Sequence, residues 1–302
     1  MTYRSKYLLL MNAVAYSFIS FSSYAENSAV EYLSTPVFTQ GIEGPAVDRA
    51  GNLYAVNFAR EGTIGIITSA AQASLYIDLP EGSTGNGIRF DQDGNMYIAD
   101  YSGHNILRLS ATSKKLEVYA HNSAMHQPND IAISANGILY ASDPNWQDNS
   151  GQLWMIDRQG QTTLLEGNMG TTNGIEVSHD EQHLYVNESV QRNIWQYDIL
   201  SDGSLTNKRL FHHFKDHGLD GMRADSQGNL YVARYGKGVI AILSVNGELI
   251  KEITLTGQFP TNVAFGGEDG KQVFVTLQKK RTIDTFNAEF PGRSFVISHS
   301  KK

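Results

Sequence analysis

Apolar and polar residues alternate along short stretches of this chain, and one such stretch returns six times. It reads "AVDRAGNLYAVN" from residue 46, "IRFDQDGNMYIAD" from 88 and "IAISANGILYASD" from 131. It continues as "IEVSHDEQHLYVNE" from 175, "MRADSQGNLYVAR" from 222 and "VAFGGEDGKQVFVTL" from 263. Aligning on the aromatic residue gives Tyr54, Tyr97, Tyr140, Tyr185, Tyr231 and Phe274, at spacings of 43, 43, 45, 46 and 43. Each copy predicts a hairpin. A period-two strand runs into a turn such as Asp93-Gly94-Asn95, and a second strand rich in Tyr, Val, Ile and Ala returns. Two further short strands follow in most copies, for example "NILRLS" and "LEVYAH". No stretch of helical period is long enough to suit a helical repeat.

Four antiparallel strands per unit of about 43 residues is the pattern of a β-propeller blade. The expected fold is therefore all-β: a six-bladed propeller spanning residues 30–298. Residues 30–39 are expected to supply the outer strand of the sixth blade, which removes the exposed edge between first and last blades. "QVFVTL" and "RTIDTFNAEF" are its other strands.

Counting back 11 or 12 residues from each aligned aromatic finds Glu43, Asn86, Asn129, Asn173, Asp220 and Asn262. Equivalent positions of a propeller lie at one height around its axis, so these six side chains should converge on one end of the central channel. Asn and Asp at a strand start could be turn residues. Turn chemistry does not explain six oxygen-bearing side chains in register, one of them Glu. Buried amides and carboxylates are costly unless satisfied, and a shared cation satisfies them together. With no sulfur or imidazole in the set, the expected ion is Ca²⁺, with Mn²⁺ or Mg²⁺ as alternatives. Glu43 and Asp220 balance its charge; Asn129 and Asn173 add neutral oxygens.

A second set follows 14 or 15 residues later: Asn57, Asp100, Asp143, Glu188 and Arg234. They are expected to line the channel mouth, with Asp143 among the substrate contacts. Trp146, on the long loop "DPNWQDNSG", is expected to wall the site. The cluster His212, His213 and His217 is read as a loop linking two blades, from which His217 could assist a reaction at Asp220.

Charge and composition narrow the function. The chain has 31 acidic and 24 basic residues, a net charge of −7, and no basic stripe that would point to nucleic acid. It has no cysteine, which excludes disulfides, thiolate catalysis and cysteine zinc sites. Arg4 and Lys6, the apolar run Tyr7 to Phe21 and Ser23-Tyr24-Ala25 have the order of a secretory signal cleaved after Ala25. The expected location is periplasmic or secreted. No later segment is apolar enough to keep the mature chain in a membrane.

The segments "GIEGPAVD", "QPNDIAI", "TNGIEVS" and "LDGMRADSQGNLYV" resemble the senescence marker protein / gluconolactonase / luciferin-regenerating enzyme family over about residues 35–293. The resemblance implies a catalytic divalent metal, usually Ca²⁺, and hydrolysis of lactones or related esters. It carries the metal ligands to Glu43, Asn129, Asn173 and Asp220, and the acid/base carboxylate to Asp220. Asn86 and Asn262 fall outside that set and are expected to support the ligands or touch substrate. Sugar-lactone members usually have Arg two residues before the third-blade Asn; Gln127 stands there in this chain, a neutral and weaker grip on a polyhydroxylated substrate. Two other functions use the same fold: a ligand-binding or scaffold propeller with a structural calcium ion, and a metal-dependent lyase.

Overall fold

In the computed structural model, which describes residues 27–68 and 71–300, six sheets of four antiparallel strands surround a central channel. The expected signal segment, residues 1–25, lies outside the described residues. Each sheet is one blade. The second, for example, runs Gly85–Phe90, Met96–Asp100, Asn105–Leu109 and Leu116–His121 from the channel outward. Every innermost strand touches the innermost strands of both neighbouring blades, so the ring is closed.

The recurring signature is explained by the turn it builds. In "DRAGNLY" the Asp48 carboxylate accepts hydrogen bonds from the backbone N–H of Ala50 and Asn52, from Asn52 Nδ2 and from Tyr54 Oη. Asp91 and Asp225 receive the same pattern from Asn95 and Asn229. The glycine of this turn has a positive φ, +82° at Gly94, a conformation that a side chain disfavours. The aromatic residue then leaves the hairpin to fill the space between blades. Tyr54, Tyr97, Tyr140, Tyr185, Tyr231 and Phe274 each belong to the apolar cluster between their own blade and the next. Six such clusters, one per blade interface, form the core. At roughly 25 cal/mol per Å² of apolar surface removed from water, they are the principal force holding the ring.

Ring closure takes the expected form. Val30–Leu33 pairs with Thr282–Asn287 as the outermost strand of the sixth blade. This strand is shorter than the 30–39 expected, because Pro36 follows and the chain turns inward to bury Phe38 against Phe58. Thr261 Oγ1 also donates to the Ile42 carbonyl (3.0 Å), stitching the sixth blade to the first near the axis.

One element had no counterpart in the sequence pattern: the C-terminal helix Arg293–His299. Its first residue plugs the lower channel. Arg293 pairs with Glu176 (3.2 Å) and Glu181 and donates to the carbonyls of Ser178 and Ile133. Above it, Asp130 is fully buried between Arg89 (3.0 Å) and Arg223 (3.2 Å). Within this group only Arg223 Nη2 is a buried polar atom without a partner. Burial pushes the Asp130 carboxyl up, but the two guanidinium groups more than offset this and hold it below its ordinary range.

Candidate metal centre and active site

Five ring residues, at or just before the starts of the inner strands, meet at the upper end of the channel, above this ionic plug. Glu43, Asn86, Asn129, Asn173 and Asp220 share the wall of one cavity of about 320 Å³. The glycines that follow four of the six ring residues show how tightly the ring closes. A Cβ on Gly44 would lie 1.9 Å from the Asn86 carbonyl oxygen, and one on Gly174 would lie 2.4 Å from the Asp220 carbonyl oxygen. A Cβ on Gly221 would meet the Asn262 side chain at 1.8 Å. At these three positions each ring residue's glycine presses on the next ring position, and no side chain fits there. Asn86 Nδ2 completes this contact in the second blade by donating to the Asn129 carbonyl (2.9 Å).

The electrostatics of the ring are unfavourable as they stand. Burial, then repulsion from Asp130, pushes the Glu43 carboxyl up to about 7; the Gly44 N–H and Asn262 side chain partly oppose this. Asp220 is raised well above its ordinary value, first by burial and then by Glu43. Two more acceptors add to the excess of unsatisfied oxygen. The side-chain oxygens of Asn129 and Asn173 are buried without a hydrogen-bond partner. Such atoms normally find partners, and leaving one bare costs about 1–3 kcal/mol. Among the described residues there is no cluster of three or more His, Cys, Asp or Glu able to hold a metal. A hard cation needs only oxygens, however, and two carboxylates with two bare amide oxygens fit Ca²⁺, Mn²⁺ or Mg²⁺.

Asn262 has a different place from the other ring members. It is fully buried outside the cavity wall, and its Nδ2 lies 3.1 Å from Glu43 Oε2 and 3.3 Å from Asp130 Oδ2. It therefore holds Glu43 in position. Its own oxygen accepts from the Val263 N–H (2.9 Å).

The second set does not line the channel mouth. Asp143 is fully buried and accepts from the backbone N–H of His126 and Gln127 and from Trp154 Nε1 (3.0 Å). Asp100 likewise accepts from Ser83, Thr84, Gly103 and Asn105. Asn57 and Glu188 are spent on neighbouring backbone, and Arg234 lies over the Phe214 ring and pairs with Asp216. These residues face into their own blades, where they tie down the turn beside them. Strand alternation then puts the following residue on the channel side. Tyr101, Ser189, Tyr235 and Gln278, 15 or 16 residues after their ring positions, all line the cavity. The period-two rule contains that signal, displaced by one residue from the set chosen by charge.

Trp146 lines the cavity as expected. Gln127 does not; its N–H anchors it to Asp143. The histidines are also outside the wall. His212 and His213 belong to the outer strand Leu205–His213, and His217 stands exposed beside Asp216.

A profile of the SMP-30/gluconolactonase/LRE-like region matches residues 42–279. A gluconolactonase from Zymomonas mobilis is 27% identical over 289 residues, which cover 82% of this chain and 80% of that protein. A 6-deoxy-6-sulfogluconolactonase from Pseudomonas putida is 29% identical over 231 residues, covering 74% of this chain and 78% of the other. Among solved structures, a regucalcin from Agrobacterium tumefaciens described as calcium-binding superposes with a TM-score of 0.75 at 18% identity, covering 88% of this chain and 95% of its own. The ring, the blades and the match over most of the chain lead to one conclusion: this protein belongs to the SMP-30/gluconolactonase/LRE-like family.

Proposed function

We propose that the chain is an exported, divalent-cation-dependent hydrolase of lactones or related esters, with Ca²⁺ the preferred ion. The reading rests on one observation above others: two carboxylates and two unpartnered amide oxygens, all raised in energy, face one cavity at the channel axis. The names of relatives support a lactone substrate, and their substrates differ in charge. Glu43, Asn129, Asn173 and Asp220 would hold the ion, which supplies Lewis acidity toward an acyl oxygen.

The chain's own groups do the rest. Asp220, the carboxylate beside the proposed ion, takes a proton from the attacking water. Water oxygen bonds to the acyl carbon, the ring C–O bond breaks, and Asp220 returns the proton to the leaving alkoxide. The Asn173 side chain hydrogen-bonds Asp220 and fixes its orientation. Trp146 and Tyr235 line the cavity beside these groups.

The test is hydrolysis of a panel of γ- and δ-lactones and aryl esters with Ca²⁺, Mn²⁺ or Mg²⁺ supplied, beside Asp220→Asn. Turnover that requires the ion and is lost in the variant supports the reading. No turnover with any ion contradicts it, as does turnover indifferent to Asp220. Export belongs to the same proposal; it predicts a mature N-terminus at Glu26 in the protein recovered outside the cytoplasm.

A further inference from the structure

The wall of the cavity selects among lactones by what it carries and what it lacks. Three aromatic rings face it: Tyr101 from the second blade, Tyr235 from the fifth and Trp146 from the long third-blade loop. Blades two and five are opposite one another in a ring of six, so the two tyrosines stand across the cavity. Tyr235 is held rigidly. Its hydroxyl donates to Gln278 Oε1 (2.6 Å) and its ring meets Phe259 edge to face at 5.1 Å. Trp146, 37% exposed, offers a ring surface that no aromatic neighbour of the described residues stacks upon.

No Arg, Lys or His belongs to the described residues lining this cavity. Two cations adjoin wall residues in sequence, and both are engaged elsewhere: Lys279 sits 3.8 Å over the face of Phe259, and Arg234 lies over Phe214 and pairs with Asp216. Among the described residues the only charged groups in the wall are Glu43 and Asp220, and both are committed to the proposed ion. An anionic substituent held away from the ion would therefore enter a partly desolvated space with no cationic side chain to pair with, which is unfavourable. A dense set of hydroxyls would lie partly against three aromatic faces, with Gln40, Ser189, Thr261 and Gln278 as the neutral polar groups left beside the ring of oxygens.

Resting on the lactonase reading, we infer that the substrate is an uncharged lactone carrying an apolar or aromatic substituent. The reacting carbonyl is at the ring of oxygens, and the substituent lies among Tyr101, Trp146 and Tyr235. Anionic lactones, such as sulfonated or phosphorylated sugar lactones, are excluded by the same wall.

The experiment compares an aryl-substituted δ-lactone, unsubstituted δ-valerolactone, glucono-δ-lactone and a sulfonated gluconolactone. Both kcat/KM and binding by calorimetry are read in the Ca²⁺-loaded protein. The aryl lactone should exceed gluconolactone by about tenfold or more, with the sulfonated compound weakest. Trp146→Ala should lower the aryl-to-unsubstituted ratio about tenfold, chiefly through KM. Gln40→Arg places a cation at an exposed position of the cavity rim and should raise the rank of the sulfonated lactone. Equal or better handling of the sulfonated or polyhydroxylated lactone by the wild type would overturn the inference, as would an aryl preference indifferent to Trp146. Failure to hydrolyse any lactone would count against the lactonase reading alone, because the binding series still decides the substituent preference.

Discussion

Two pairs of carboxylates lie along the same channel, in opposite circumstances. In the lower channel Asp130 and Glu176 are surrounded by Arg89, Arg223 and Arg293. In the upper channel Glu43 and Asp220 face each other's charge and that of Asp130, with amides and backbone as their hydrogen-bond partners and no salt bridge. Asp130 ends below its ordinary acidity range, while Glu43 is pushed up to about 7. The lower pair is internally complete, so it serves structure. The upper pair has no such partner within the protein, and that charge is what the proposed ion would supply. Burial of charge alone does not distinguish a site from a strut; the presence or absence of an internal partner does.

The contrast breaks most sharply under alanine substitution of each pair. Glu43→Ala or Asp220→Ala should abolish the response to Ca²⁺ and remove several kcal/mol of transition-state stabilisation, about a thousandfold or more in kcat/KM. Yet the metal-free variants should melt no lower than metal-free wild type, because a repulsive charge is gone. Asp130→Ala should do the reverse. It leaves Arg89 and Arg223 without their principal partner and should cost about 3–5 kcal/mol in chemical denaturation, while an ion-dependent rise in melting temperature persists. If both sets of variants lost stability alike, the division of the channel would be wrong.

A smaller effect is expected where the two regions meet. Asn262 bridges Glu43 and Asp130, so Asn262→Ala should weaken Ca²⁺ binding by about 10–100-fold without emptying the site. Asn129→Ala and Asn173→Ala should each weaken it less than loss of either carboxylate, since water can replace a neutral oxygen. Isothermal titration of the three variants ranks them.

The pH dependence sharpens the same point with the smallest effect. Glu43 is raised in the folded state, from an ordinary value of 4.5 to about 7. A carboxyl that holds its proton more tightly when folded stabilises the metal-free protein below its unfolded value. That contribution is lost as pH rises through the folded value of about 7. A bound cation requires the ionised form and reverses the penalty. The rise in melting temperature on adding Ca²⁺ should therefore be larger above pH 7 than below it. A shift independent of pH would exclude Glu43 from the ion's coordination.

Much of this organisation is written in the sequence, and the reasons are physical. The blade signature is legible because a local turn, an Asp that caps it and an aromatic wedge recur at fixed offsets. The ring of six is legible because equivalent positions must share one height. Asn57, Asp100, Asp143, Glu188 and Arg234 show where such reading fails. Charge draws attention to them, but a strand end has two faces, and only packing reveals that these side chains turn into the blade. The cavity wall is made instead by their less conspicuous neighbours Tyr101, Ser189, Tyr235 and Gln278. The C-terminal helix was not legible because it is seven residues long, and its role depends on Arg293 reaching partners more than 100 residues away in sequence. The partners of Arg89, Asp130 and Arg223 are long-range in the same way.

The central claim is that the upper channel is a cation site. Thermal unfolding above neutral pH, with chelator and then with excess Ca²⁺, tests it most directly. An ion that binds only the folded state stabilises by about 2.7 kcal/mol at a hundredfold excess over its Kd, so melting should rise on adding Ca²⁺, and the rise should vanish in Asp220→Ala while persisting in Asp130→Ala. A melting curve that neither chelator nor any of Ca²⁺, Mn²⁺ and Mg²⁺ moves would contradict the account.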